Sequence, residues 1–339
     1  MTRRKYDNNG LIDRYGLYIV LAVAVIVRVI YLAQYHALPD WQQLTVDPNY
    51  HHHWAQDIAS GDIFGDTTYF RAPLYAWCLG LLYAILGDSL WVGRLFGVLI
   101  GLASVGMTYV LGRRLFGSTA GLIAGLIHAV FAMAIYFEPE LLVDPLYTLL
   151  VIVMLDRSVV WCRSMHAKDA LWFAVWLGLA SITRPNALVM LPVALVGLVL
   201  RQRETVAATA ESTADVPPMV AMKPVVRQIG MVLLGLVITI GPVTLRNLII
   251  AGDATMIASS GGINLYIGNN SEADGVSAVL PPPLGPNWRI EATAHIAEQD
   301  LGRELTPGEV SSYWSSRAVD WMTENPGRFL NLYLAKLRL

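Results

Sequence analysis

Charge is what this sequence has least of. Only 15% of its residues are Asp, Glu, Lys or Arg, against about 25% in soluble domains. Hydrophobic residues make up 55%, and they fall in runs long enough to cross a bilayer. A soluble globular chain is excluded on that ground. Cysteine is scarce too: Cys78 and Cys162 fall at opposite membrane faces in the topology derived below, so no disulfide between them is expected. The first apolar run lacks a small-residue cleavage site and reads as an uncleaved signal anchor. The sequence has no Walker loop, Rossmann fingerprint, CxxC pair or internal repeat. Its formal net charge of -2 gives no reason to expect nucleic acid as a partner. Membrane lipids are the partners such a composition requires.

The few charges that are present mark the ends of apolar spans. Arg3, Arg4, Lys5 and Arg14 precede the first span, Leu17–Tyr35. Arg28 interrupts that span at a depth where a charge costs ~3 kcal/mol or more. It is either a functional residue or one that snorkels to the outer headgroups. Trp91–Leu111 is the next full-length span, followed by Arg113 and Arg114. Between them, Pro73–Leu86 is short of the ~20 residues a crossing needs. The positive-inside rule keeps Arg113 and Arg114 cytoplasmic only if Pro73–Leu86 does not cross. It is therefore read as an interfacial helix within a first outer loop, residues 37–88.

Alternation then continues. Thr119–Phe137 runs outward as one span, Glu138–Pro145 is a short outer turn, and Leu146–Trp161 returns to Arg157, Arg163 and Lys168. Ala170–Thr183 and Ala187–Leu200 form a hairpin with Arg184 at its outer tip. Residues 203–224, rich in Ala, Thr, Glu and Pro, read as a disordered cytoplasmic linker. Gln228–Leu245 crosses outward again. Residues 1–246 are thus expected to form a transmembrane core, and residues 247–326 an extracytoplasmic segment. Within the latter, Ser259–Asn270 mixes turn residues with a strand-like run, and Pro281–Pro286 is a rigid connector. Thr306-Pro-Gly-Glu309 is a capping box opening an amphipathic helix to about Glu324. Residues 327–339 read as the start of a further membrane helix, truncated at Leu339. The fold class expected is an all-α polytopic membrane protein with a cytoplasmic N-terminus and an outer-face site, placed in the inner membrane of the cell.

Chemistry concentrates on the outer face. Asp47-Pro48 and Asp144-Pro145 each have the form of an N-cap followed by Pro at the first helical position. An Asp at a helix start needs no catalytic purpose. It is also held ionised by the helix dipole and backbone amides, and can then orient an attacking hydroxyl or stabilise an oxocarbenium-like transition state. Glu138 and Glu140 flank Pro139 in the same turn as Asp144. His51, His52 and His53 point ~100° apart on a helix and cannot share one metal ion. His51, one turn from Asp47, is the natural neighbour of that carboxylate. Arg71 would meet lipid phosphate, or else anchors to headgroups beside the aromatic belt of Tyr69, Tyr75 and Trp77. Arg94, Arg184 and Arg246 lie at outer ends of spans, where positive-inside predicts few arginines. Binding a phosphate or pyrophosphate headgroup is one reason for them. No metal ligand set and no organic cofactor is assigned, although the carboxylates leave room for a divalent cation.

In order along the chain stand Asp47 with Tyr50 and Ala55, Gly61, Arg71-Ala-Pro-Leu-Tyr75, Gly93-Arg94-Leu95 and Leu111-Gly-Arg-Arg-Leu-Phe-Gly117. Tyr136 through Asp144-Pro145, Gly178-Leu-Ala-Ser-Ile-Thr-Arg184-Pro185, Arg246-Asn247 and Gly262-Ile-Asn-Leu-Tyr-Ile-Gly-Asn-Asn270 follow. This ordered set resembles the membrane glycosyltransferases of the C superfamily, in particular the family 39 group of protein mannosyltransferase-like and bacterial aminoarabinose transferase-like enzymes. The Trp-Trp-Asp signature of oligosaccharyltransferases is absent. The resemblance implies a C-type transmembrane core with outer-face loop helices. It also implies a polyprenyl-phosphate-linked sugar as donor, an extracytoplasmic lipid, glycan or protein as acceptor, and inversion at the anomeric centre. By position it makes Asp47 the catalytic carboxylate and Asp144 a second acidic residue, with Glu138 and Glu140 as rivals. Arg71 falls to the donor phosphate, although Ala72 stands where many relatives have Pro or Lys. Arg184 and Arg246 join Arg71 at the phosphate, and Tyr50, His51, Tyr69 and Glu140 line the cavity. The same cavity would suit a non-catalytic lipid-phosphate binder or transporter.

Overall fold

The computed structural model describes residues 10–210, 218–277 and 290–338. Among them the protein is all-α, without strands. In chain order the helices are α1 (Gly10–His36), α2 (Val46–Ser60), α3 (Leu74–Leu86), α4 (Leu90–Phe116), α5 (Ser118–Ala129), α6 (Ala132–Phe137) and α7 (Asp144–Ser164). They continue with α8 (Ala167–Ser181), α9 (Met190–Ala210), α10 (Pro218–Ala251), α11 (Gly261–Gly268), α12 (Ile290–Leu301), α13 (Pro307–Glu324) and α14 (Pro326–Lys336). Gly10–His36, Leu90–Phe116, Asp144–Ser164 and Val225–Ala251 are long and apolar enough to cross a membrane. Contacts divide the chain into two units, Met1–Phe64 with Pro73–Thr239 and Gly65–Ala72 with Ile240–Leu339.

In the first unit α4 is central. α1, α5 and α7 pack on it, α8 packs on α7, and α2 on α3. On α1 the buried residues Val20, Ala24, Arg28, Leu32 and Tyr35 recur every three or four positions, which places them on one face. Val20 and Ala24 join Val105, Tyr109 and Ala129 in a core cluster. Small residues let the backbones approach: a Cβ at Gly121 of α5 would lie 2.7 Å from the Tyr109 carbonyl oxygen of α4. At the far end of α7, buried Asp156 takes Arg114 Nε at 2.6 Å and also pairs with Arg157. Cys78 and Cys162 form no disulfide.

In the second unit α11 packs on α13, with Ile263, Ala297, Val310 and Trp314 at the core. The expected capping box is present. Thr306 Oγ1 accepts from the Glu309 amide at 3.3 Å, and Glu309 Oε2 accepts from the Thr306 amide at 2.9 Å. Asp253 adds a cap from elsewhere in the chain, accepting the Gly308 amide at 2.7 Å and the Thr68 hydroxyl at 2.9 Å.

Several elements differ from expectation. The span read as Thr119–Phe137 is broken: α5 ends at Ala129 and α6 begins at Ala132, with Phe131 extended. No proline causes the break. The Ala129 carbonyl instead accepts from Arg28 Nη1 at 2.9 Å. Arg28 is not at the headgroups but fully buried. Ser259–Asn270 carries a helix, α11, instead of a strand-like run. There Ile263, Tyr266 and Ile267 meet the Trp314 cluster at helical spacing, and tertiary packing overrides the local β preference. α9 reaches Ala210 and α10 begins at Pro218, so both described ends of the stretch 203–224 are helical, and residues 211–217 lie outside the described residues. Pro281–Pro286 lies outside them as well. Residues 327–336 are helical within α14.

The Asp-Pro pairs also sit differently. Thr45 and Val143 occupy the N-cap positions of α2 and α7, and neither makes a side-chain cap bond. Asp47 and Asp144 lie inside the first turns rather than capping them. Each still feels the positive end of its helix dipole.

Candidate active site

Sequence expectation placed the chemistry at the start of α2, in the turn 138–144, and at Arg184. All three lie in the first unit. α2 carries Asp47, half-buried, in its first turn, and ends at Gly61, whose φ of 113° is open to glycine alone without strain. One turn on from Asp47, His51 is 1% exposed, with Tyr50 and Tyr75 edge-on to its ring at 5.5 and 5.3 Å. α2 can lie this close to α3 because Gly80 has no side chain: a Cβ there would lie 2.6 Å from Ile58 Cγ2.

His52 is held by the Tyr83 hydroxyl at 2.8 Å from Nδ1. Burial pushes its pKa down, and neighbouring His53 adds to this, with Asp88 opposing. A depressed histidine contributes stability that is complete above its unfolded value of 6.5 and lost as pH falls below it. Thermal stability should therefore fall on mild acidification, and fall less in His52→Gln. Parallel melting curves at neutral and mildly acidic pH check this.

The turn 138–144 lies along α4, where Gly93, Gly97 and Gly101 recur every four residues and so share a face. A Cβ at Gly97 would fall on the Glu138 carbonyl oxygen, and one at Gly101 on its carboxylate. Leu141, fully buried, has a φ of 52°, a left-handed conformation that a leucine keeps only when its surroundings enforce it. Arg94 is 0% exposed and acts as a clamp. Its Nη1 donates to the Pro139 carbonyl at 2.7 Å and its Nη2 to the Trp41 carbonyl at 2.6 Å, with Tyr35 and Trp41 against its guanidinium. Arg94 thus ties the end of α1 and the following turn to the 138–144 segment. Glu140 faces the Tyr35 hydroxyl. Glu138 is buried, with both carboxylate oxygens on Arg28.

At the end of this turn Asp144 Oδ1 accepts from Arg184 Nη2 at 2.7 Å. The two side chains are 42% and 41% exposed, so this carboxylate and guanidinium stay open to a ligand. Arg184 follows α8 in an extended conformation, and the Ile182 carbonyl just before it accepts from the Leu74 amide at 3.0 Å.

Arg71, Tyr69 and Arg246 belong to the second unit. Arg246 is 7% exposed. It donates to the Thr67 carbonyl at 2.6 Å and lies over the Tyr69 ring at 4.0 Å. Asn247, fully buried, donates to the Thr255 carbonyl at 2.9 Å. The Tyr69 carbonyl accepts from the Ser259 amide at 2.9 Å. Arg246 and Asn247 are thus built into the support of the loop 65–72 that carries Arg71. Among the described residues no group of three His, Cys, Asp or Glu side chains is placed to hold a metal ion.

Residues 70–224 match the family model of dolichyl-phosphate-mannose-protein mannosyltransferases. The chain therefore resembles the membrane glycosyltransferases of the C superfamily, and the match supports a membrane protein of the glycosyltransferase type. The mannosyltransferase match includes Arg71, Glu138, Glu140, Asp144 and Arg184, whereas Asp47 and Arg246 lie outside it. Neither a search of curated proteins nor one of solved structures found a match.

Sequence reasoning did not find the partner of Arg28 or the clamp made by Arg94. The signals were a charge within a span and glycines at every fourth position of α4. Pairing a guanidinium with a carboxylate 110 residues away requires the packing of the helices.

Proposed function

We propose that the chain transfers a sugar from a polyprenyl-phosphate donor to an extracytoplasmic acceptor, a lipid, glycan or protein, with inversion. The observation that carries this is the Asp144–Arg184 pair, half-exposed at 2.7 Å within the mannosyltransferase-like stretch. Asp47 orients and deprotonates the acceptor hydroxyl. Its oxygen attacks the anomeric carbon as the bond from that carbon to the phosphate oxygen breaks, and polyprenyl phosphate leaves with the electron pair. Asp144 supports the developing positive charge on the sugar. Arg184 holds the phosphate, where a guanidinium's planar fork matches the oxygens, and Arg71 is assigned to the phosphate from its sequence motif alone. Arg246 supports the Arg71 loop, and Tyr50, His51, Tyr69 and Glu140 are assigned to the cavity. The Lys and Arg asymmetry supports an N-terminus in the cytoplasm and a site on the outer face of the inner membrane.

Protein in lipid nanodiscs, given a radiolabelled polyprenyl-phosphate sugar and an acceptor extract, should release polyprenyl phosphate. Binding or translocation of the donor without release would favour the lipid-phosphate carrier. Arg71→Ala should weaken donor binding more than Lys168→Ala does, since Lys168 is assigned to the cytoplasmic side. Equal affinities would return Arg71 to headgroup anchoring.

A further inference from the structure

Arg28 and Glu138 form a deeply buried ion pair, 1% and 3% exposed. The pairing is a fork: Nε donates to Oε2 at 2.8 Å and Nη2 to Oε1 at 2.6 Å. The third nitrogen, Nη1, donates to the Ala129 carbonyl at 2.9 Å and the Ala24 carbonyl at 3.2 Å. Ala129 ends α5, where the interrupted helix leaves carbonyls without helical donors and a negative dipole end. One side chain therefore serves two needs, closing the broken helix and holding the carboxylate at the start of the 138–144 turn.

That turn is held at successive points. The Glu138 carbonyl lies against Gly97 and its carboxylate against Gly101. Arg94 holds the Pro139 carbonyl. Leu141 sits beside Gly93, where a Cβ would lie 3.0 Å from its Cδ2. Beyond these points the turn presents Glu140 and Asp144. A buried ion pair is weak as a source of stability, because desolvation offsets its attraction, and apolar residues of similar volume often replace it without loss. What a bidentate pair adds is direction, since two parallel bonds fix the angle of the carboxylate.

We propose that Arg28 and Glu138 are positioning residues for sugar transfer, setting the turn that carries Glu140 and Asp144. This rests on the transfer function proposed above. The test uses full-length protein in which Cys78 and Cys162 are replaced by serine and Leu142→Cys reports on the turn. Into it go the double replacement Arg28→Met with Glu138→Met, and separately Arg28→Lys, which keeps charge without the fork. The double variant should melt near its parent, yet its thiol should react with a water-soluble maleimide roughly tenfold faster as the turn opens locally. Its kcat should fall by about 100-fold, the scale of a misplacement near 1 Å, with donor KM little changed. A folded double variant with parental labelling, or with faster labelling and parental kcat, would overturn the proposal. If the double variant does not fold, Arg28→Lys decides in the same way: faster labelling and lower kcat support positioning, and parental values overturn it. Labelling needs no substrate, so a parent that transfers no sugar would remove the transfer function alone.

Discussion

Asp47→Asn should lower sugar transfer by about 10²–10⁴-fold, the usual worth of a general base, while leaving the melting temperature almost unchanged. Asp47 occupies the first turn of α2 and not its cap, so asparagine keeps the side chain's shape and gives up the attraction of a negative charge to the helix N-terminus. That is worth about 0.3–1 kcal/mol at most sites. The fold and the chemistry therefore respond on different scales, and one substitution separates them. Initial rates with a radiolabelled polyprenyl-phosphate sugar, with melting curves on the same samples, provide the comparison. Near-normal rates would move the catalytic assignment to Asp144, which should then fail on its own replacement by asparagine.

The second large effect belongs to α4. Gly97→Ala should destabilise the protein by about 1–3 kcal/mol, the cost of overpacking a close contact. In an ordinary helix the same change would stabilise by about 1 kcal/mol. The sign inverts because the new methyl would fall on the Glu138 carbonyl oxygen. That oxygen is backbone and cannot swing aside, so the turn itself must move away from α4. Gly106→Ala is the control on the same helix, since its Cβ would meet nothing nearer than Leu21 Cδ2 at 3.7 Å. Thermal unfolding in detergent should rank Gly97→Ala below the parent and Gly106→Ala at or above it. Transfer activity should follow Gly97→Ala downward, because Asp144 lies at the end of the displaced turn. A Gly97→Ala protein as stable as the Gly106→Ala protein would show that the turn does not rest on α4.

Much of this protein was legible without coordinates, for a local reason. A span announces itself by length and hydropathy, so α1, α4, α7 and α10 follow from composition along the chain. The capping box at Thr306 and Glu309 involves residues three apart and could be read directly. The ordered motifs pointed to the glycosyltransferase resemblance that the match over residues 70–224 supports. Where the choice depended on distant neighbours, local pattern failed. Ser259–Asn270 has strand-like chemistry, yet Trp314 offers Ile263 and Tyr266 a surface that suits a helix. Thr119–Phe137 carries no proline, yet the helix opens where Arg28 can bind the released Ala129 carbonyl.

The sequence by itself determined that the chain lives in a membrane, the four segments long and apolar enough to cross it, and which acidic and basic residues were worth watching. Only the tertiary structure decided which of those residues meet and which stay exposed. It buried Arg28 with Glu138, made Arg94 a clamp on Pro139 and Trp41, and left Asp144 and Arg184 open together. The physical reason is range. Hydropathy and capping are set by residues within a turn or two of one another, whereas the state of a charge in a low-dielectric core is set by whichever group packing brings within about 3 Å.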